Sequence, residues 1–232
     1  MRKPTIAGAL LLFLMGALPV QADNVVLQDW TFNINGNTNF NCLPAPCSPN
    51  TPPFLNLAAF DFATGLGTVT GTFTGTPGSY YMIFYVDHDI VGGTNPLDDE
   101  MGGAFGTPLA GQSWEIDEPG FTTGQLVMDV VNGVLTNSAW PSGTPSPNDV
   151  AMALGWAFVL GAGDVATLHW TVSTTAPSGG FYLEQTDPNG THLYFSSQLQ
   201  ITPNTVIPEP ATGLLLLTGA GLITALRRRT RK

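Results

Sequence analysis

Acidic side chains gather at Asp87-His88-Asp89, at Asp98-Asp99-Glu100 and at Glu115-Ile116-Asp117-Glu118. Calcium takes six to eight oxygens from carboxylates and backbone carbonyls, so such runs beside Gly92-Gly93 are where a calcium site would be sought. Asp87, Asp89, Asp98, Asp99 and Glu100 are therefore the candidate calcium ligands, and Glu115, Asp117 and Glu118 could come near them. No EF-hand loop or nonapeptide repeat frames them, and the competing reading is acids solvated on loop tips. A glycosidase would need two carboxylates roughly 5 to 9.5 Å apart across a cleft. With seventeen acids in the chain, such a pair can always be imagined.

Other chemistries find less support. Gly65-Leu66-Gly67 lacks the rest of a dinucleotide fingerprint. Neither a Gly-x-Ser-x-Gly elbow nor a His-Glu-x-x-His pair occurs. His88 is flanked by acids and reads as a surface residue, while His169 and His192 fall at outward strand positions. Trp30, Trp140 and Trp170 are candidates for stacking on sugars, against the need of a β core for large side chains. The chain reads as non-enzymatic.

The distribution of charge excludes more than the net value of −10 does. All seven basic residues lie at the ends: Arg2, Lys3, Arg227, Arg228, Arg229, Arg231 and Lys232. Between Asp23 and Leu226 the only other basic groups are three histidines. Gripping phosphates requires clustered Lys or Arg, so nucleic acid is excluded as a partner. Anionic lipid headgroups find no positive patch on this stretch either. An acidic surface favours solubility and metal cations.

The basic ends belong to apolar segments. Arg2 and Lys3 precede an apolar run from Ile6 to Leu18, and Val20-Gln21-Ala22 offers small residues to signal peptidase. Residues 1–22 are expected to be a signal peptide cleaved after Ala22. At the other end, Pro208-Glu209-Pro210 cannot sit inside a helix. An uncharged run follows from Ala211 to Leu226 and ends at Arg227-Arg228-Arg229. As a helix it would rise about 24 Å, slightly short of a roughly 30 Å hydrocarbon core, a gap that snorkelling arginines can close. The arginines would hold the C-terminus on the cytoplasmic side.

This order, Pro-Glu-Pro, apolar helix and Arg cluster, resembles the PEP-CTERM sorting signal of Gram-negative bacteria, handled by the membrane enzyme exosortase. The resemblance spans 204–232, with the motif at 208–210, the transmembrane helix at 211–226 and the basic tail at 227–232. It implies export, transient anchoring in the inner membrane, processing near the motif, and delivery to the cell surface or the exopolysaccharide of a biofilm matrix. The competing reading is an ordinary tail anchor behind a proline-rich linker. Ser113–Gly120, Asp149–Trp156 and Phe181–Ser197 also resemble a secreted module recurrent among PEP-CTERM proteins, to which no activity attaches.

The intervening 23–203, roughly 180 residues, is long enough for one domain with its own core. Cys42 and Cys47, the only cysteines, bracket Leu-Pro-Ala-Pro in an Asn- and Pro-rich loop. In an exported chain the pair is expected to form a disulfide stapling that loop. A metal half-site would need further soft ligands, and a redox pair usually has two intervening residues.

Strands are expected at Val25 to Ile34, Thr68 to Thr74, Tyr80 to Val86 and Val165 to Thr174, with a last hairpin turning at Asp187-Pro188-Asn189-Gly190. Asn189-Gly190-Thr191 is also a glycosylation sequon, which its turn role explains. From Val150 to Leu160 large residues at even positions alternate with small ones at odd positions, which requires something close over the strand's back. Gln125 to Val131 reads as a further strand, entering a hairpin at Asn132-Gly133. The pattern indicates an all-β protein of roughly eight to ten strands in one antiparallel β-sandwich, Ig-like or jelly-roll, without a soluble helix. The function expected is that of an exported structural protein; the alternative is a carbohydrate-binding or adhesion module, with calcium assisting.

Overall fold

Alternation of large and small side chains along one central strand dictates the layering, and the computed structural model has it placed between two unequal neighbours. The structure describes residues 24–35, 52–91, 100–120, 124–139 and 149–204. Its elements are β1 (Asn24–Ile34), β2 (Leu55–Asp61), β3 (Leu66–Phe73), β4 (Gly78–Val91), β5 (Met101–Phe105), β6 (Gln112–Asp117), α1 (Leu126–Asn132), β7 (Ala151–Leu160), β8 (Val165–Ser173), β9 (Tyr182–Thr186) and β10 (His192–Thr202). They form a four-stranded sheet of order β1-β4-β7-β6 and a six-stranded sheet of order β2-β3-β8-β10-β9-β5. Every strand pair is antiparallel. The protein is thus mostly β, with two sheets arranged like a sandwich.

The sheets meet through side chains at every second position. Trp30, Phe32, Phe84, Met152, Leu154 and Trp156 of the smaller sheet join Val69, Leu168, Trp170, Val172, Leu183 and Phe195 of the larger in one core cluster. Aromatic rings cross the interface edge to face. Phe32 and Phe84 lie 5.6 Å and 6.0 Å from Trp170, and Phe84 lies 5.6 Å from Phe195. That geometry sets the positive edge of one ring against the negative face of the next. Trp30 and Trp170 are 3 % and 1 % exposed, which removes both as sugar-stacking residues.

The back of β7 is also covered, by a helix where a strand was expected. Leu126 and Val130, four residues apart, drop from α1 onto Ala151 and Ala153, and Ile83, Tyr85 and Leu135 complete a second apolar cluster. Met128 and Val131 remain exposed on the outer side of the helix. Asn132-Gly133 does not make a hairpin. Gly133 takes a left-handed conformation (φ 73°), its N–H bonds Val130 O, and the Val134 N–H bonds Asp129 O. This is the glycine-terminated end of a helix, whose last carbonyls it satisfies. The dipeptide serves either purpose, and the alanine floor of β7 decides in favour of the helix. Asn33 of β1 ties that end down, its Nδ2 donating to Val130 O at 2.6 Å and Val131 O at 3.1 Å.

Among the described residues, no helix is long and apolar enough to cross a membrane. The expected signal peptide at 1–22, the Cys42–Cys47 loop, Asp98, Asp99, Trp140 and the sorting signal with Pro208, Glu209, Pro210 and Arg227–Arg229 lie outside the described residues.

Candidate functional site: a buried acidic cluster

The acids of β4 are not on a solvated loop tip. The strand continues past Val86 through Asp87-His88-Asp89 to Val91, paired along its length with β1. Pairing sets Asp29 directly opposite Asp87, and Asp87 in turn opposite Ala151 of β7. Cross-strand partners share a face, so Asp29 and Asp87 lie on the α1 side of the small sheet, with Tyr85 one step farther along. Asp87 is 4 % exposed, Glu100 1 % and Tyr85 0 %.

No lysine or arginine is available in the folded region to balance these groups, so burial determines their charge state. Burial pushes the Asp87 carboxyl up to about 9, and the charges of Asp149, Asp89, Asp29 and Glu100 add to the rise. Burial likewise lifts Glu100 to about 8, against the Ile90 N–H that its Oε1 accepts at 3.1 Å. Asp29 rises to about 6 through burial, opposed by the Trp30 N–H donating to its Oδ1 at 2.7 Å. Tyr85 is held well above its usual range by burial and then by Asp87, Asp29 and Asp149. At neutral pH, Asp87 and Glu100 therefore carry protons. Asp87 Oδ1, Glu100 Oε2 and the Tyr85 hydroxyl are buried without a hydrogen-bond partner among the described residues.

His88 points the other way, because neighbours on a strand alternate faces. Instead of a surface residue it is a fully buried one, 0 % exposed, and burial pulls its imidazole down to about 4, so it is neutral. Its Nε2 lies 3.3 Å from Gly65 O, and Gln185 Nε2 donates to its backbone oxygen at 2.7 Å. Gly65 has φ 67°, and a Cβ there would stand 2.1 Å from His88 Nε2, so the ring fills the space a side chain would take. His169 bonds Thr70 Oγ1 at 3.1 Å, and His192 pairs with Glu184 at 2.8 Å, both on the outward face expected of them.

Glu115, Asp117 and Glu118 do not join the Asp87 cluster. Asp117 sits in register with Ala151, the residue opposite Asp87, but the charges acting on Asp87 come from elsewhere. Glu115 and Asp117 line a separate acidic groove of about 390 Å³, with Asp129, Thr136 and Ser138. Burial raises Glu115 to about 7, against the Thr136 N–H that it accepts at 2.7 Å, and the Asp129 carboxyl adds to the rise. Asp117 accepts the N–H groups of Glu118 and Gln125 and so shapes the approach to α1.

Reading the sequence missed Asp29, Tyr85, Asp149 and Asp129 as partners in these clusters. Asp29, Thr31 and Asn33 alternate with Trp30, Phe32 and Ile34, which marks them as one face, but nothing local says that this face is covered. Among the described residues, no set of three or more His, Cys, Asp or Glu side chains stands ready to hold a metal ion. Comparison with protein-family models, curated proteins and solved structures finds no match.

Proposed function

We propose that this protein is an exported, non-enzymatic β-sandwich, delivered to the cell surface or extracellular matrix through its C-terminal sorting signal and acting there structurally. The observation that carries this reading is the segregation of every Lys and Arg into two terminal segments, each built around an apolar run, with Pro208-Glu209-Pro210 before the second. Signal peptidase, exosortase and the inner membrane are the partners it implies. The test is the intact mass and location of the protein in a host with and without exosortase. A matrix form lacking Leu214 to Lys232, lost when the enzyme is deleted, is expected. Full-length protein in the inner membrane of both strains would make the tail a permanent anchor and end the matrix role.

Of the two topologies expected from the sequence, the strand orders speak against the Ig-like one. An Ig-like sandwich keeps its first two strands side by side in one sheet, whereas β1 and β2 belong to different sheets.

A second reading, a calcium-assisted binding or adhesion module, draws support from the Asp87–Glu100 cluster. Its carboxyls hold protons where no protein cation is present; calcium in the protons' place would have to draw the carboxyls together, since no three of them stand ready for a metal among the described residues. Millimolar calcium is then expected to raise the melting temperature at pH 8 by several degrees over chelator, with a smaller gain at pH 6. Identical melting in both buffers would remove calcium from the account.

A further inference from the structure

We infer that the outer face of the six-stranded sheet carries a binding groove for a neutral polysaccharide chain. This deepens the matrix reading, which supplies the setting for such a ligand, but the groove stands on its own geometry. It has a volume of about 600 Å³, within the usual range for ligand clefts. Its floor is the solvent side of β8 and β10, with Thr171, Ser173, Tyr194, Ser196 and Gln198 presented at alternate positions. The segment from Thr175 to Phe181 forms one wall, and Thr107 with Leu109 contributes the other.

The chemistry of the lining is selective. Among the described residues no charged side chain lines the groove itself, although the folded region is strongly acidic; Glu184, paired with His192, stands across from Tyr194 at its border. Hydroxyls and amides both donate and accept, which suits the paired donor and acceptor character of sugar hydroxyls. A phosphate or carboxylate ligand would meet no lysine or arginine among the described residues here, and the acids elsewhere would repel it. Gln112, 8 % exposed, closes the inner end, with Nε2 donating to Ser197 Oγ at 3.1 Å and Oε1 accepting the Leu109 N–H at 3.1 Å. These bonds fix Gln112 and Ser197 at that end.

Next to the hydroxyls runs an aromatic strip on the same face. Phe105 stacks on Tyr182 at 5.4 Å, Tyr182 meets Tyr194 edge to face at 5.8 Å, and His192 stacks on Tyr194 at 6.1 Å. Phe105, on the edge strand β5, is 43 % exposed. The C–H face of a pyranose packs on such rings while its equatorial hydroxyls reach the threonines and serines alongside. Tyr194 belongs to both features, as a ring of the strip and part of the groove's floor.

The test is affinity electrophoresis and calorimetry of the full-length protein in detergent. The probes are dextran, a soluble β-glucan and a galactomannan as neutral chains, and alginate as the anionic control. Binding to at least one neutral chain and none to alginate is expected. Tyr194→Ala should weaken that binding at least tenfold, Tyr194→Phe far less, and Ser173→Tyr, which fills the groove, should abolish it. Met128→Ala, on the exposed side of α1, should leave it unchanged. Circular dichroism and the melting temperature establish that each variant is folded. The inference is overturned if no neutral chain binds, if alginate binds instead, or if folded Ser173→Tyr binds as well as the parent. It is equally overturned if the face is occupied by a second copy of the chain, seen as a dimer in sedimentation that Phe105→Asp dissociates. Because binding is read on purified protein, it can fail while exosortase processing holds, and the reverse.

Discussion

Raising the pH from 6.5 to 9 in the presence of chelator is expected to lower the stability of the folded protein by about 1 kcal/mol or more per pH unit. The folded state holds protons that the unfolded chain releases. Asp87 and Glu100 titrate at about 9 and about 8 when folded, against ordinary values of 3.8 and 4.5. For a carboxyl raised in this way the penalty is absent below the unfolded value. It grows as pH rises through the interval and is complete above the folded value. Each proton so held contributes at most about 1.4 kcal/mol per pH unit, and relaxation of the cluster reduces that ceiling. Asp29, at about 6, and Glu115, at about 7, act in the same direction at lower pH. His88 opposes them only between about 4 and its ordinary 6.5, where the unfolded imidazole takes a proton that the buried one refuses. Above pH 6.5 the carboxyls act alone. Thermal melting across this range checks the sign, and Asp87→Asn should flatten the curve and melt higher than the parent at pH 8.5. A melting temperature that is constant or rises from pH 6.5 to 9 would mean that the cluster is ionised and solvated.

Trp170→Ala is expected to destabilise the protein by roughly 4 kcal/mol, at the upper end of what single substitutions do. Its indole is 1 % exposed and is the ring on β8 that Phe32 and Phe84 of the opposite sheet both contact edge to face. Truncation removes the transfer free energy of the ring and leaves a cavity between two sheets whose hydrogen-bonded strands cannot readily collapse into it. For a domain of this size each kcal/mol shifts the melting temperature by about 2–4 °C, so a fall of about 8–16 °C should be seen. Trp170 Nε1 has no hydrogen-bond partner among the described residues, so Trp170→Phe loses ring area without losing a bond. It should cost only about 1–2 kcal/mol. Urea denaturation measures both variants. A loss below about 1 kcal/mol for Trp170→Ala would contradict the packing of the two sheets against each other.

How much of this was legible in advance differs between strand and site. The β class and most strand positions followed from side-chain alternation, because period two is a property of the chain alone. The even-numbered run from Met152 to Leu160 did enter the core, and Ala151 and Ala153 did face a covering element, while Ala157 and Val159 farther along stay exposed. Gln125 to Val131 was misread because branched residues before Asn-Gly suit a strand and hairpin as well as a helix with a glycine end. Leu126 and Val130 stand at helical spacing, but only the shallow floor of Ala151 and Ala153 gives that spacing a surface to bury against.

The acidic site shows the same division. The sequence by itself determined that the region between the two ends is acidic and has no cation of its own beyond histidine, since composition does not depend on folding. It also marked Asp87, Asp89, Asp98, Asp99 and Glu100 as the acids to watch. Only the tertiary structure decided that Asp87 and Glu100 are buried and protonated, that Asp29 and Asp149 join them, and that His88 is neutral inside the core. The reason is physical. The charge of a carboxyl depends on what surrounds it, and here the surroundings come from strand register and covering segments distant in sequence.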